Sequence, residues 1–305
     1  MLLPDRKPLR IARRAGSDGQ PSRLMPRHEA EAPARQGLNR HWWNDHYHNA
    51  LTLPWWGFLL AAAGAYLAAN LVFTGLYLLQ DGAIAHVGPG DVLGAFFFSV
   101  QTMATIGYGQ LIPQTIYANV LVTIEALYGM LMIALTTGLL FARFSRPTAR
   151  ILFSEVAVVG THDGFPTLSV RLGNARRNQI LQATVTMALL RNEVTLEGTA
   201  MRRFHDLALA RNHTPVFGLT FLLMHRLDEA SPLHEYTPER WADEEAELLV
   251  TVSGLDETMS QTIHARTSYG SEEIRWGHRF EDVFGRARDG RRVIDFTRFH
   301  DTVPI

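Results

Sequence analysis

Apolar residues in this chain fall into two long blocks, one short block between them, and then a series of brief alternating runs. From Trp55 to Leu79 the sequence WWGFLLAAAGAYLAANLVFTGLYLL runs 25 residues without a charge. A helix of about 20 apolar residues crosses the hydrocarbon core of a bilayer, so this block predicts an outer spanning helix over 55–79. A second block, Ile116–Phe141, is broken only by Asn119 and Glu125 and predicts an inner helix over 116–144. Between them, Val92–Ala104 (VLGAFFFSVQTMA) has helical character but is too short to cross. A short apolar helix between two spans reads as re-entrant. Irregular backbone after it is tolerated at membrane depth only if it is buried in protein or lines a water-filled path.

Beyond Ala149 the pattern changes. Ile151–Val159, Thr167–Leu172, Ala183–Arg191, Val216–His225, Leu248–Ser253, Ile274–Trp276 and Val293–Phe296 are short β-like runs set off by turn signals such as Thr161-His162-Asp163-Gly164 and Asp289-Gly290. Many short strands at near-regular spacing predict an all-β sandwich over 148–305. At the other end, residues 1–40 are rich in Arg, Pro, Gly and Ser, lack the apolar core of a secretory signal, and read as a disordered arm. Residues 41–53 read as an amphipathic helix lying along the membrane surface, before a transmembrane domain over 54–147. His46 and His48 lie within it. Two residues apart on a helix they point about 200° from each other, so they do not share an ion.

Charge settles orientation. Nine cations from Arg6 to Arg40 precede the first span, Arg143, Arg146 and Arg150 follow the second, and the connection from Gln80 to Thr115 has no Lys or Arg. By the positive-inside rule both termini are cytoplasmic and the chain is a multi-pass membrane protein. A formal net charge of -1 gives no basic excess to invite nucleic acid. With no cysteine, disulfides, zinc thiolates and thiol nucleophiles are excluded. The histidines of the β domain lack ligand spacing, so neither a cofactor nor a metal site is expected there.

The chemistry lies in Thr105-Ile106-Gly107-Tyr108-Gly109, directly after the re-entrant segment. Stripping water from K⁺ takes stacked rings of oxygen atoms, which backbone carbonyls can supply. Aiming successive carbonyls at one axis puts alternate residues in left-handed geometry, hence Gly107 and Gly109. Thr105 adds a hydroxyl at the inner mouth. Tyr108 is expected to point off the axis and brace the filter against the pore helix. One chain supplies one side of each ring, so the pore predicts a closed homotetramer.

These features resemble the inward-rectifier potassium channels, specifically their bacterial branch. Phe96-Phe97-Phe98-Ser99-Val100-Gln101-Thr102 is similar to the family's pore helix. Pro166-Thr167-Leu168, Arg171-Leu172-Gly173-Asn174, Trp276-Gly277-His278-Arg279-Phe280-Glu281 and Arg298-Phe299-His300 are similar to stretches of its cytoplasmic domain. The resemblance implies an immunoglobulin-like cytoplasmic β-sandwich, a bacterial inner-membrane location, and passive K⁺ conduction open to block by Ba²⁺, Mg²⁺ or polyamines. It also implies that Arg143 and Arg146, beside Pro147, meet anionic phospholipid; simple positive-inside anchoring is the plainer reading.

On the inner helix, Gly129, Ile133, Thr137 and Phe141 recur every four residues and form one stripe. Lining a pore, it would be apolar, with four Phe141 rings closing the cytoplasmic end by dewetting. Gly129 and Gly138 are where the helix could bend, or where it packs closely against a neighbour. Glu125, a carboxylate inside a span, braces the back of the filter or senses ions near the cavity. Departures from the family pattern are specific. Gln101 and Leu111 occupy the positions of a filter-supporting Glu–Arg pair, Ile133 that of a blocker-binding Asp, and Ser253 that of a cytoplasmic acidic ring, which together predict weak rectification. The competing functions are a non-selective cation channel, which a filter lacking Tyr108 or Gly109 would favour, and a membrane-tethered β-domain receptor or enzyme. The latter needs a nucleophile–base pairing or phosphate loop in 150–305, and none is present.

Overall fold

The computed structural model describes residues 46–147, 149–286 and 292–305. The arm over 1–40, Trp42 and Trp43, the first residues of the surface helix and the Asp289-Gly290 turn lie outside these. The chain divides into two compact units, one over Leu38–Arg146 and one containing Pro147–Ile305.

The first unit holds four helices: α1 (His46–Thr52), α2 (Trp55–Tyr77), α3 (Val92–Met103) and α4 (Ile116–Phe144). Pro54 separates α1 from α2 because it lacks an N–H and cannot continue a helix; it takes extended geometry as the N-cap of α2. Asp91 caps α3 by accepting from the Gly94 N–H at 2.9 Å, and Thr115 caps α4 by accepting from the Ala118 N–H at 3.1 Å. α2 and α4 are long and apolar enough to cross a membrane, and most of their surface is uncovered within one chain. Their inner faces meet α3 around Phe73, Tyr77, Ala95, Phe98, Met103 and Leu121.

The segments on either side of α3 are tied to each other. Ala85 N–H donates to the Ile112 carbonyl at 2.9 Å and Gln114 N–H to the Ala83 carbonyl at 2.8 Å, which closes the loop that carries α3 and residues 105–109.

The second unit is a β-sandwich. Its strands are β1 (Ile151–Phe153), β2 (Ala157–His162), β3 (Phe165–Asn174), β4 (Ile180–Val194), β5 (Ala200–Asp206), β6 (His213–Phe217) and β7 (Thr220–Arg226). After a short α5 (Pro238–Asp243) come β8 (Glu247–Asp256), β9 (Gln261–Tyr269), β10 (Ile274–Trp276), β11 (His278–Phe280), β12 (Phe284–Arg286), β13 (Arg292–Ile294) and β14 (Thr302–Pro304). One five-stranded sheet runs β1-β3-β2-β10 with β7 also paired to β3; the other runs β5-β4-β8-β9 with β6 also paired to β4. Alternate residues of the two sheets, among them Leu168, Val170, Leu172, Val185, Met187 and Val250, fill one core with Trp241 from α5. The β2–β3 turn has φ of 50° at Asp163 and 82° at Gly164, the twist-matched hairpin geometry that the Asp-Gly pair favours.

The apolar runs are subdivided. Ile151–Val159 splits at Ser154 into β1 and β2, and Val216–His225 splits at Gly218 and Leu219 into β6 and β7. Ser154 is buried and accepts from the Tyr269 hydroxyl through its carbonyl at 2.9 Å, a satisfied polar break rather than a strand position. β5 and β9, which carry no continuous apolar run, are additional strands. Arg171 on β3 joins separate stretches of the sequence. Its guanidinium donates to the carbonyls of Phe299, at 3.1 Å, and of Glu281, and lies 4.7 Å from the Phe280 ring. Gly173 gives room for Phe299, whose ring would stand 2.8 Å from an added Cβ.

Candidate functional site

Residues 105–109 leave the C-terminal end of α3 under local control. Thr105 N–H donates to the Thr102 carbonyl at 3.0 Å, and Ile106 N–H to the Gln101 carbonyl at 2.8 Å. The backbone then alternates: φ is +57° at Thr105, +57° at Gly107 and +81° at Gly109. The two glycines enter this region freely, but Thr105 is a β-branched residue held in it, which costs strain. Residue type alone gave no signal for that third position. Ile106 and Tyr108 are exposed within one chain, Tyr108 by 75%, so Tyr108 does not brace the filter against its own pore helix.

The stripe on α4 is divided. Gly129 is buried, and an added Cβ would lie 2.6 Å from the Met103 carbonyl oxygen at the end of α3. Gly129 therefore belongs to a helix-packing contact, which corrects its place beside Ile133, Thr137 and Phe141. An i, i+4 row drifts about 40° per step around a helix, so a row that starts against α3 ends facing outward. Ile133, Thr137 and Phe141 are indeed exposed within the chain, Phe141 by 74%. Gly138 is open, with nothing within 4 Å of an added Cβ.

Glu125 has partners the sequence did not name. It is fully buried, with Oε2 accepting from the Tyr77 hydroxyl at 2.7 Å and Oε1 hydrogen-bonded to Ser99 Oγ. Ser99 lies on the back of α3, Tyr77 on α2, and Asn70 adds a contact to Ser99. Glu125 thus stands behind the pore helix. Leu111 is partly buried and packs against the apolar cluster around Phe73 and Met103.

At the other end of α4, Arg143 is engaged inside the unit. Its Nη1 donates to the Ala50 carbonyl and Nη2 to the Leu53 carbonyl, each at 2.6 Å, and its guanidinium lies 4.7 Å from the Trp55 ring and 4.8 Å from Phe58. The carbonyls it caps are among the unpaired ones at the end of α1. Arg146 is exposed.

In the β unit, Ser253 sits on β8 opposite Thr184 and His264. The shallow cleft there is lined by hydroxyls, His264 and Arg266, with no carboxylate among its lining residues. His225 is a satisfied core histidine: Nδ1 meets the Ala208 carbonyl and Nε2 the Ser231 hydroxyl, both at 2.7 Å, and burial lowers its pKa. Among the described residues no three His, Asp or Glu side chains are grouped to hold a metal ion.

The two glycines of α4 make opposite predictions. Gly129→Ala is expected to destabilise the purified protein by about 1–3 kcal/mol through overpacking against Met103. Gly138→Ala is expected to be neutral or to stabilise by up to roughly 1 kcal/mol, as alanine does in an open helix position. Thermal unfolding in detergent reads both; equal effects would contradict the packing assignment.

Comparison with known proteins agrees with this geometry. Residues 151–305 match the family described as the inward rectifier potassium channel C-terminal domain, and residues 63–146 match an ion channel family. The chain is 47% identical over 268 residues to the inward rectifier potassium channel Kirbac3.1 of Paramagnetospirillum magnetotacticum, covering 88% of this chain and 91% of that protein. It is 34% identical over 235 residues to inward rectifier potassium channel 4 of Homo sapiens, covering 73% of this chain and about half (51%) of that protein. It is 29% identical over 283 residues to ATP-sensitive inward rectifier potassium channel 12 of Bos taurus, covering 86% of this chain and 66% of that protein. With two membrane-spanning helices, a short apolar helix leading into Thr105–Gly109 and a β-sandwich, the chain belongs to the inward-rectifier potassium channel family, as a channel subunit and not an enzyme.

Proposed function

We propose that four copies of this chain enclose a K⁺-selective pore whose filter is Thr105–Gly109, with both termini on the cytoplasmic side of a bacterial inner membrane. The observation that carries this is the alternation of φ at Thr105, Gly107 and Gly109, which turns successive carbonyls toward one line. The C-terminal end of α3 adds the negative end of its dipole beside that line, which favours a cation. Tyr108, uncovered in one chain, is then met by a neighbouring subunit. Ile133, Thr137 and Phe141 line the path below, with Phe141 as the apolar constriction and Gly138 as the point of bending.

Purified protein in liposomes should pass K⁺ and exclude Na⁺, and Ba²⁺ should block the flux. Equal Na⁺ flux would establish the non-selective reading instead. Gly107→Ala should abolish conduction, because a Cβ at a φ of +57° strains the filter.

Rectification is weak in this account. A multivalent blocker needs a carboxylate ring in the pore, where a unit pair at 4 Å is worth about 1 kcal/mol in water and several-fold more in a low-dielectric cavity. Ile133 is apolar, the Ser253 cleft has no carboxylate, and Glu125 is buried and engaged. Internal spermine should block the wild type shallowly with voltage, and Ile133→Asp should steepen the block. Steep block in the wild type would contradict the assignment.

Anionic phospholipid is proposed to act at Arg146, where a cation near an anionic surface gains about 1 kcal/mol. Arg143 is spent on α1, so it contributes by positioning that helix. Phosphoinositides in the bilayer should reduce the flux, and Arg146→Gln should blunt that response. A full response in the Arg143→Gln/Arg146→Gln double variant would sink the lipid site.

A further inference from the structure

The polar cluster behind α3 has a hydrogen count that can be closed. Asn70, Ser99 and Glu125 are each 0% exposed and Tyr77 is 2% exposed, so the cluster is sealed within one chain. Asn70 Nδ2 donates to the Tyr66 carbonyl at 2.8 Å and meets Met103 Sδ at 3.4 Å. A carbonyl only accepts, so the amide nitrogen must face Tyr66, and Asn70 Oδ1 must face Ser99 Oγ at 3.0 Å. That oxygen needs a donor, and the Ser99 hydroxyl is within reach.

Ser99 has one proton, yet its Oγ also contacts Glu125 Oε1 and lies 3.3 Å from the Asn70 backbone carbonyl, which already accepts from the Thr74 hydroxyl at 2.6 Å. If Ser99 gives its proton to Asn70, the contact with Oε1 is a hydrogen bond only when the carboxyl supplies the proton. Oε2 meanwhile accepts from Tyr77. A neutral Glu125 therefore satisfies every group, whereas a carboxylate leaves Asn70 Oδ1 against a lone pair. The charges agree: no Lys or Arg occurs between Arg40 and Arg143, and Arg143 lies about five turns further along α4 and is engaged with α1, so no counter-ion stands beside Glu125. A buried carboxylate without one is costly.

We infer that Glu125 is a neutral carboxylic acid that, with Ser99, Asn70 and Tyr77, clamps the pore helix to both spans and so positions the filter. Asn70 and Tyr77 come from α2, two turns apart, Ser99 from α3 and Glu125 from α4, so the cluster ties all three helices together. Met103, which Asn70 also touches, lies two residues before Thr105. Glu125 is thus a positioning residue for selectivity, and this inference rests on the channel function proposed above.

The test uses the full-length protein in liposomes, with Glu125→Gln, Glu125→Ala and the milder Ser99→Ala. Gln keeps the neutral pattern, since Nε2 can donate to Ser99 while Oε1 accepts from Tyr77. Glu125→Gln should keep the K⁺-to-Na⁺ permeability ratio close to wild type, whereas Glu125→Ala and Ser99→Ala should each lower it about tenfold, the scale of one buried hydrogen bond left unmade. Difference infrared spectra of wild type against Glu125→Gln should show the carbonyl stretch of a protonated carboxyl. Ala variants with an unchanged ratio would overturn the clamp, and lack of that band would overturn the neutral acid. A wild type that does not select K⁺ would instead overturn the channel reading itself. Should Glu125→Ala fail to fold, Ser99→Ala and the infrared spectrum decide the matter.

Discussion

A bilayer offers no water to backbone groups, and everything in the first unit follows from that constraint. The two long helices satisfy themselves. In the proposed channel the stretch from Thr105 to Gly109 cannot, because a filter's carbonyls stay unpaired to meet an ion, so the surroundings have to hold it in place. Three devices do so: the N–H groups of Thr105 and Ile106 bond back to α3, the loop ends close on each other at Ala83 and Gln114, and the Glu125 cluster holds α3 from behind. Each device removes freedom from the filter without occupying its carbonyls.

The same economy governs the C-terminal end of α4. Arg143 caps α1 carbonyls that would otherwise lack partners near the membrane surface, and stacks on Trp55 and Phe58 while doing so. Arg143 thereby joins α1 to the end of α4 that carries Phe141.

Much was legible in the sequence because membrane solvation leaves a coarse signature. One uncharged block, a second broken only by Asn119 and Glu125, and a short block between them mark the two spans without detail, and alternating runs mark the sandwich. What was hidden depends on contacts between distant residues. The partners of Glu125 lie 26 and 48 positions away, at Ser99 and Tyr77. The i, i+4 stripe suggested one face for Gly129 and Phe141, but its drift around the helix separates them. Thr105 takes a left-handed φ that its residue type argues against. β5 and β9 pair through backbone along polar runs such as Ala200–Asp206, where no hydrophobic alternation announces a strand. Arg171 drew no attention as a single residue, yet it joins the carbonyls of Glu281 and Phe299 from two motif stretches.

The central claim is that carbonyls of Thr105–Gly109 from four chains surround a line of bare ions. Anomalous diffraction from crystals grown in Rb⁺ tests it without any assay of function. The account predicts a column of Rb⁺ peaks on a fourfold axis, each ringed by carbonyl oxygens of residues 105–109. Rb⁺ peaks elsewhere with none beside these carbonyls, or an assembly without fourfold symmetry around them, would contradict it.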